Sequence, residues 1–137
     1  MRRFWDIIRL IRAGNCLLAM AAVWVGAYLT WLDPVYYGPL VAGFAAFLVC
    51  AAGNVINDIV DIDIDRVNRP DRVLVRGDVS IPYARNLAIL SGVIAIICGV
   101  AVNIEVTIAV VAAMVLLLLY NLWLKRVRVA GNFVIAL

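Results

Sequence analysis

Four long stretches without a charged residue are the feature that most limits how this chain can fold. They cover residues 13–32, 34–57, 86–104 and 106–124 of a 137-residue chain, of which 66% is hydrophobic. A helix needs roughly 20 apolar residues to cross the hydrocarbon of a bilayer, and a soluble domain of this length is only about half apolar. The sequence therefore predicts an all-α protein, a polytopic transmembrane helical bundle with four spans.

Each of these four stretches has Lys and Arg at only one of its two ends. They precede the first stretch, fill the segment between the second and the third, and follow the fourth, whereas the connections around Asp33 and Glu105 carry none. Cytoplasmic loops of membrane proteins hold the excess of Lys and Arg. We therefore predict a protein of the cell membrane whose N-terminus and 58–85 loop face the cytoplasm. The net charge of +3 then reflects this topology and not nucleic-acid binding.

Short outer connections join the predicted spans in pairs. Asp33-Pro34 is a turn signal, and Asn103 to Glu105 separates the last two stretches, so two antiparallel hairpins are expected. The chain ends on VAGNFVIAL, whose nine residues are too few to span a bilayer as a helix. We interpret them as the opening of a fifth helix, with a short interfacial tail as the alternative.

The hydrophilic 58–85 segment carries signals for a helix end and a helix start. Arg69 precedes Pro70, which disfavours helix at that point, so an extension of the second span should stop near Arg66. Further along, Ser80 and Pro82 are typical of the entry to a new helix.

The segment GNVINDIVDIDIDRVNRPDR, residues 53–72, places four aspartates within eight residues at the end of an apolar run. On a helix, at about 100° per residue, three of them share one face with two asparagines, whereas Asp63 lies on the opposite side. This aspartate face consists of Asn54, Asn57, Asp58, Asp61 and Asp65. Carboxylates are costly near a bilayer, so a membrane protein that keeps them usually uses them.

Carboxylates stacked on one face repel each other unless a cation lies among them. Mg²⁺ prefers oxygen ligands and commonly uses one or two carboxylates together with substrate phosphates. Neighbouring arginines could hold further phosphate oxygens, because the guanidinium fork fits them. These are Arg66, Arg69, Arg72 and Arg76. A solvated loop of paired Asp and Arg is the alternative, but it does not explain why the carboxylates share a face.

Zinc chemistry of the ordinary kind is excluded for lack of ligands. The chain has no histidine, and its three cysteines stand singly inside apolar stretches, where packing is their expected role. They are Cys16, Cys50 and Cys98.

The aspartate segment resembles the first aspartate-rich motif of the UbiA superfamily of intramembrane prenyltransferases, N-D-x-x-D-x-x-x-D. The matching residues are Asn57, Asp58, Asp61 and Asp65, followed by Asn68, Arg69 and Pro70. Two further segments resemble the family's first helix, where an arginine and an asparagine approach the cavity, and the end of its fourth helix. They contribute Arg12, Asn15, Tyr120, Lys125, Gly131 and Asn132. No second aspartate-rich cluster follows, so the resemblance implies that residues 1–137 are the N-terminal half of a UbiA-like domain.

The resemblance implies an enzyme that carries out Mg²⁺-dependent prenyl transfer to a lipid acceptor. The segment is most similar to the archaeal branch that makes digeranylgeranylglyceryl phosphate, by moving a geranylgeranyl group from its diphosphate to the free hydroxyl of geranylgeranylglyceryl phosphate. Asp58, Asp61 and Asp65 are then the expected catalytic residues and metal ligands. The expected substrate or diphosphate contacts are Arg12, Asn15, Asn54, Asn57, Arg66, Asn68, Arg69, Tyr120 and Lys125. A second half with its own motif is an expected partner, without which these 137 residues should be inactive.

Two other functions stay open at this point. A UbiA-type enzyme could act on an aromatic, quinone-precursor or tetrapyrrole acceptor, since those enzymes share the aspartate motif. The chain could instead be a non-catalytic membrane scaffold or assembly subunit whose Asp/Arg loop binds a cytoplasmic partner. Magnesium-dependent binding of a prenyl diphosphate analogue would separate an enzyme from a scaffold.

Overall fold

Helices make up most of the chain that the structure, a computed structural model, describes, namely residues 2–30 and 37–126. They are α1 (Arg2–Ile11), α2 (Ala13–Leu29), α3 (Tyr37–Val60), α4 (Ile62–Asn68), α5 (Val73–Arg76), α6 (Ile81–Val102) and α7 (Ile104–Leu122), followed by a 3₁₀ turn at Leu124–Arg126. No β-strand occurs in these described ranges. The predicted all-α class is confirmed.

Three of the helices are each long and apolar enough to cross a membrane. They are α3, α6 and α7, with mean hydropathies of 2.0, 2.0 and 2.2. The helices α1 and α2 meet the same criterion only as a pair, because the chain bends by 53° between them. The predicted four spans therefore correspond to α3, α6, α7 and, when the bent pair counts as one span, α1 with α2.

The helices do not end where the charged residues begin. The helix α3 continues to Val60 and α6 starts at Ile81, so Asp58 and Arg85 both lie within helices. The 58–85 segment, predicted as a loop, is therefore helical for much of its length. An uncharged stretch marks the part of a helix that suits hydrocarbon, whereas the helix itself continues as far as its backbone hydrogen bonds do.

The helix α4 continues the course of α3 across a one-residue break at Asp61. The Asp61 N–H donates to the Asn57 carbonyl at 3.0 Å, and the Asp65 N–H donates to the Asp61 carbonyl at 2.8 Å, so the i to i−4 pattern persists. The end of α4 at Asn68 precedes Pro70 by two residues and lies within one turn of the predicted end. The aspartate face is thereby carried on one nearly continuous helix.

The predicted helix entry at residue 80 is confirmed. The Ser80 hydroxyl accepts a hydrogen bond from the Tyr83 N–H at 3.4 Å, and Pro82 lies in the first turn of α6. Ser80 is thus an N-cap, which satisfies one of the free N–H groups at the start of the helix.

Asn103 alone connects α6 to α7, which confirms the second predicted hairpin. Its side-chain oxygen accepts from the Val106 N–H at 2.8 Å, and its carbonyl accepts from the Thr107 hydroxyl at 2.8 Å. The two helices approach closely here, since a Cβ added to Gly99 would lie 3.0 Å from the Thr107 Cα. The other predicted turn, at residues 33–34, and the terminal VAGNFVIAL segment lie outside the described residues.

The helix α3 lies at the centre of the bundle and packs against α2, α6 and α7, while α1 contacts it as well. Its buried positions include Gly43, Ala45, Ala52 and Gly53. Small residues let helix backbones approach in a membrane, where lipid removes the hydrophobic drive for helices to associate. The outward faces of the bundle are apolar and exposed, as lipid contact requires; examples are Ile97, Val100, Ile108 and Leu116.

A buried apolar cluster fixes α1 and α5 against the C-terminal part of α3. It consists of Leu10, Ala52, Val55, Val73, Leu74, Val79, Ala84 and Ala88. Arg12 follows Leu10 of this cluster by two residues, and Arg72 directly precedes Val73. The cluster therefore anchors the segments that carry these side chains to the same end of the bundle, which we call the charged end.

Candidate active site

The first helix is interrupted at Arg12, whose backbone is left-handed with φ 52° and ψ 58°. This conformation costs a non-glycine residue about 1–2 kcal/mol and persists only where the surroundings compensate. Here the Asn15 N–H bonds to the Arg12 carbonyl, which leaves the Ile11 carbonyl without its helical partner. Asn54 donates to that carbonyl at 2.8 Å, and the Cys16 thiol donates to it at 3.1 Å. The neighbouring helix α3 thus stabilises the break.

The break brings the Arg12 guanidinium to the aspartate face. Its Nη2 donates to Asp58 Oδ1 at 2.7 Å. Arg72 contacts the same oxygen, with Nη1 2.5 Å from Asp58 Oδ1 and 2.8 Å from Asp65 Oδ2. A single cationic nitrogen therefore lies between two carboxylates that are seven residues apart.

The third carboxylate of the face is paired separately. Lys125, in the 3₁₀ turn after α7, places its Nζ 2.5 Å from Asp61 Oδ1, although the two residues are 64 positions apart. Both side chains are mostly buried, with exposed fractions of 17% and 23%. This ion pair joins the end of α7 to the junction of α3 and α4.

The two sides of the helical segment that carries the aspartates differ in burial, as the helical period predicts. The side chains of Asp58 and Asp65 are 8% and 9% exposed, whereas that of Asp63 is 84% exposed and pairs with Arg66 at 2.9 Å. A buried carboxylate is tolerated only when it is paired and hydrogen-bonded. The basic side chains of the charged end fulfil this condition for all three carboxylates of the face.

A small cavity of about 230 Å³ lies between α3 and α7 at the charged end. Its lining residues are Arg12, Cys50, Gly53, Asn54, Asn57, Leu117, Tyr120 and Asn121. Asn121 is only 3% exposed, and its Nδ2 donates to the Leu117 carbonyl at 2.9 Å. The Asn121 Oδ1 has no hydrogen-bond partner among the described residues. The cavity therefore shares Arg12 with the carboxylate cluster and adds amide and phenol groups.

Residues 13–137 match the sequence profile of the UbiA prenyltransferase family. The chain belongs to this family. It is 32% identical to a protein of Methanocaldococcus jannaschii over 98% of this chain, 37% to one of Thermococcus sibiricus over 94%, and 38% to one of Methanopyrus kandleri over 99%. All three are named digeranylgeranylglyceryl phosphate synthase. The chain spans 47–49% of their lengths, which is about half.

A solved structure supports the same family assignment. It is described as "Structural and mechanistic insights into the biosynthesis of Digeranylgeranylglyceryl phosphate synthase in membranes" and matches with a TM-score of 0.90 at 33% identity. The match covers 98% of this chain and 49% of that protein. The bundle described above is thus a UbiA fold over about half the length of a membrane prenyltransferase.

Most of the residues expected from the UbiA motifs come together at the charged end. They are Arg12, Asn54, Asn57, Asp58, Asp61, Asp65, Tyr120 and Lys125. Asn15, in contrast, is exposed on α2 and does not line the cavity. Gly131 and Asn132 lie outside the described residues.

Of the arginines that follow the aspartates in the chain, Arg72 joins Arg12 beside the UbiA carboxylates, whereas Arg66 and Arg69 do not. Arg66 projects from the opposite side of α4 with Asp63, and Arg69 is exposed at the end of that helix. The chain turns back after Pro70, and this reversal returns Arg72 to the carboxylates. The expected substrate contacts of Arg66, Asn68 and Arg69 stay predictions.

Sequence reasoning did not identify Asn121 and did not distinguish Arg72 from the neighbouring arginines. Asn121 carried a usable signal, because an amide inside the apolar 106–124 stretch is as unusual as Asn54 in its own span. Arg72 carried no comparable signal, since it is one of four arginines that follow the aspartates at similar spacings of three or four residues. Only the path of the chain after Pro70 distinguishes it from the others.

Two of the predicted carboxylate ligands are arranged to suit one magnesium ion, and the role of the third stays a prediction. Among the described residues, no three metal-binding side chains lie close enough to hold one ion. Asp58 and Asp65 nevertheless converge on one cationic atom, Arg72 Nη1, at 2.5 and 2.8 Å. Mg²⁺ needs only one or two carboxylates when substrate phosphates complete its shell. These two residues therefore fit a magnesium site, whereas Asp61, the expected third ligand, contacts Lys125 in this arrangement.

Proposed function

We propose that this chain is the N-terminal half of a Mg²⁺-dependent prenyltransferase of ether-lipid synthesis. The enzyme transfers a geranylgeranyl group from its diphosphate to the free hydroxyl of geranylgeranylglyceryl phosphate. The observation that carries this proposal is that basic side chains from three separate elements converge on the family's aspartate face. The names of the curated relatives support the choice of lipid product.

In the proposed reaction, the bond between the allylic C1 and the diphosphate oxygen breaks, and its electron pair leaves with the diphosphate. A lone pair of the acceptor hydroxyl forms the new C–O ether bond, and the hydroxyl proton is released to water. Negative charge builds on the diphosphate as it departs. Cations beside those oxygens therefore stabilise the transition state more than the ground state.

The basic residues of the charged end are suited to this task. Arg12, Arg72 and Lys125 each hold an aspartate in the absence of substrate, and each can exchange it for a diphosphate oxygen. The exchange frees Asp58 and Asp65 as oxygen ligands for Mg²⁺, which when bound supplies further positive charge at the diphosphate. Leu117 and Cys50 contribute an apolar part to the wall of the cavity that Arg12 lines, and apolar groups beside the reacting carbon would help to keep water away from it.

We further propose that the charged end faces the cytoplasm of a cell-membrane protein. Arg12, Arg72 and Lys125 all lie at this end, whereas the α6–α7 connection at the opposite end carries only Glu105 as a charged residue. Basic residues accumulate on the cytoplasmic side of membrane proteins. The second half of the enzyme, with a second aspartate-rich motif, would then complete the site from the same side.

The decisive experiment compares Asp58→Asn with Asp63→Asn in the protein at its full natural length. Both changes remove one carboxylate from the same helical segment, but only Asp58 lies on the buried face. We expect Asp58→Asn to lower geranylgeranyl transfer by about 100-fold or more, and Asp63→Asn to stay within about twofold of the unmutated protein. Transfer is measured in membranes with labelled geranylgeranyl diphosphate and Mg²⁺.

Normal turnover by Asp58→Asn would overturn the assigned site. Absence of both transfer and Mg²⁺-dependent diphosphate binding in the unmutated protein would favour a scaffold instead. Residues 1–137 alone should show no transfer, because the relatives are about twice as long.

A further inference from the structure

The buried amide of Asn121 has one hydrogen-bonding atom that the described chain leaves unused. Its Nδ2 donates to the Leu117 carbonyl at 2.9 Å, and because a carbonyl can only accept, this contact fixes which end of the amide is nitrogen. The Oδ1 is therefore a true acceptor, buried in a residue that is 3% exposed and without a donor among residues 2–30 and 37–126. Buried polar atoms of folded proteins nearly always have a partner, so this atom indicates a missing donor.

The chemistry of an amide oxygen restricts what that donor can be. It needs an O–H or N–H group, and a fully ionised diphosphate offers neither. The diphosphate oxygens also carry the same sign of charge as the Oδ1, so they repel it. The group that completes Asn121 is therefore a neutral hydroxyl or a similar donor, and not the leaving group held by the arginines.

The position of the cavity indicates which hydroxyl this is. Asn121 and Arg12 line the same cavity, and Arg12 contacts Asp58 at 2.7 Å, so the amide lies next to the proposed diphosphate site. The cavity holds about 230 Å³, well above the roughly 30 Å³ that one water occupies in the liquid, and it therefore admits more than a bridging water. Asn57 and Tyr120 add further polar groups to its wall.

We propose that Asn121 determines acceptor specificity by accepting a hydrogen bond from the alcohol hydroxyl of the acceptor lipid. This inference rests on the proposed prenyl transfer. The amide takes no proton; it orients the O–H so that an oxygen lone pair remains free to attack the allylic carbon. The new C–O bond, the departing diphosphate and the released proton are those of the reaction given above.

The test is steady-state kinetics of Asn121→Leu at full natural length, with acceptor and donor varied in turn. Losing one neutral hydrogen bond should raise the KM for the alcohol acceptor about fivefold to tenfold, while the KM for the prenyl diphosphate stays within about twofold. Release of free prenol by water should rise relative to transfer, because the acceptor hydroxyl no longer occupies its place.

Two further variants separate the loss of this hydrogen bond from other effects of substitution. Asn121→Thr retains a hydroxyl that can donate to the Leu117 carbonyl and still accept a bond, so its acceptor KM should lie within about threefold of the unmutated value. Thr107→Val is the matched control: its hydroxyl makes the same kind of i−4 bond, to the Asn103 carbonyl at 2.8 Å, at the other end of α7. It should leave both KM values unchanged.

Equal rises in both KM values, or an acceptor KM for Asn121→Leu equal to that of the unmutated protein, would overturn the role of Asn121 while leaving prenyl transfer intact. If Asn121→Leu does not fold, Asn121→Thr decides: an acceptor KM raised tenfold or more in a folded variant overturns the role, and near-normal values support it. An unmutated protein without any transfer would overturn the proposed function, and this inference with it.

Discussion

Two helix breaks of one residue each, at Arg12 and at Asn103, are stabilised in opposite ways. At Asn103 the backbone is extended, and the residue's own side chain caps the next helix through the Val106 N–H. At Arg12 the backbone is left-handed, and the freed carbonyl beside it is satisfied by Asn54, 43 residues away from that carbonyl along the chain. The Arg12 side chain in turn contacts Asp58, which is 46 residues away.

The turn at Asn103 is thus made by the local sequence, whereas the turn at Arg12 depends on residues that meet only in the folded site. A break satisfied by its neighbours serves chain reversal, so damage to it should affect stability alone. A strained break held by distant residues is expected where the strain has a functional use. Damage to the Arg12 break should therefore affect both stability and activity.

The largest effect is expected from Arg12→Ala and Arg12→Gly, which both remove the guanidinium. Each should lower transfer by about 100-fold, because one cation at the diphosphate is lost. Glycine adopts φ 52° without the penalty of about 1 kcal/mol that alanine incurs, so Arg12→Gly should unfold at the higher temperature of the two. The measurements are the transfer assay and thermal unfolding in detergent. Full activity of Arg12→Gly would mean that the bend alone matters.

An intermediate effect is expected from Asn54→Leu, which has a similar volume but no donor. The Ile11 carbonyl would lose its partner across the helices, which costs about 1–3 kcal/mol of unfolding free energy. Transfer should fall as well, since Arg12 is no longer held in place. Reversible unfolding in mixed micelles and the transfer assay test this expectation, and a stability loss with unchanged transfer would contradict it.

The smallest effect is expected from Asn103→Ala at the other break. Loss of the cap on Val106 should lower the unfolding free energy by about 1 kcal/mol. Transfer at a temperature where the variant is folded should not change. A transfer rate reduced more than about twofold would show that the α6–α7 turn is coupled to the site after all.

The features that the sequence predicts correctly are the local ones. The period of the helix places Asp58 and Asp65 on the buried face and Asp63 outside, because a helical face depends only on spacing. The cap at Ser80 and the turn at Asn103 were likewise readable from residues within one turn of them.

The features that escape prediction depend on how distant segments meet. Nothing at Arg12 itself signals a left-handed break, since neither it nor its two chain neighbours is glycine or proline and the compensating amide is on α3. Arg72 reaches the carboxylates only through the reversal after Pro70. The contact of Lys125 with Asp61 spans 64 residues, and spacing alone could not predict it.

The ion pairs of the charged end also bear on how the proposed enzyme releases its product. Three cations and three carboxylates already neutralise one another before any substrate binds. Diphosphate binding is then an exchange of partners, and part of the attraction is spent in separating pairs that already exist. When the diphosphate departs, the same pairs re-form. The aspartates thereby compete with the leaving group for its own binding residues, which favours turnover over tight retention of the product.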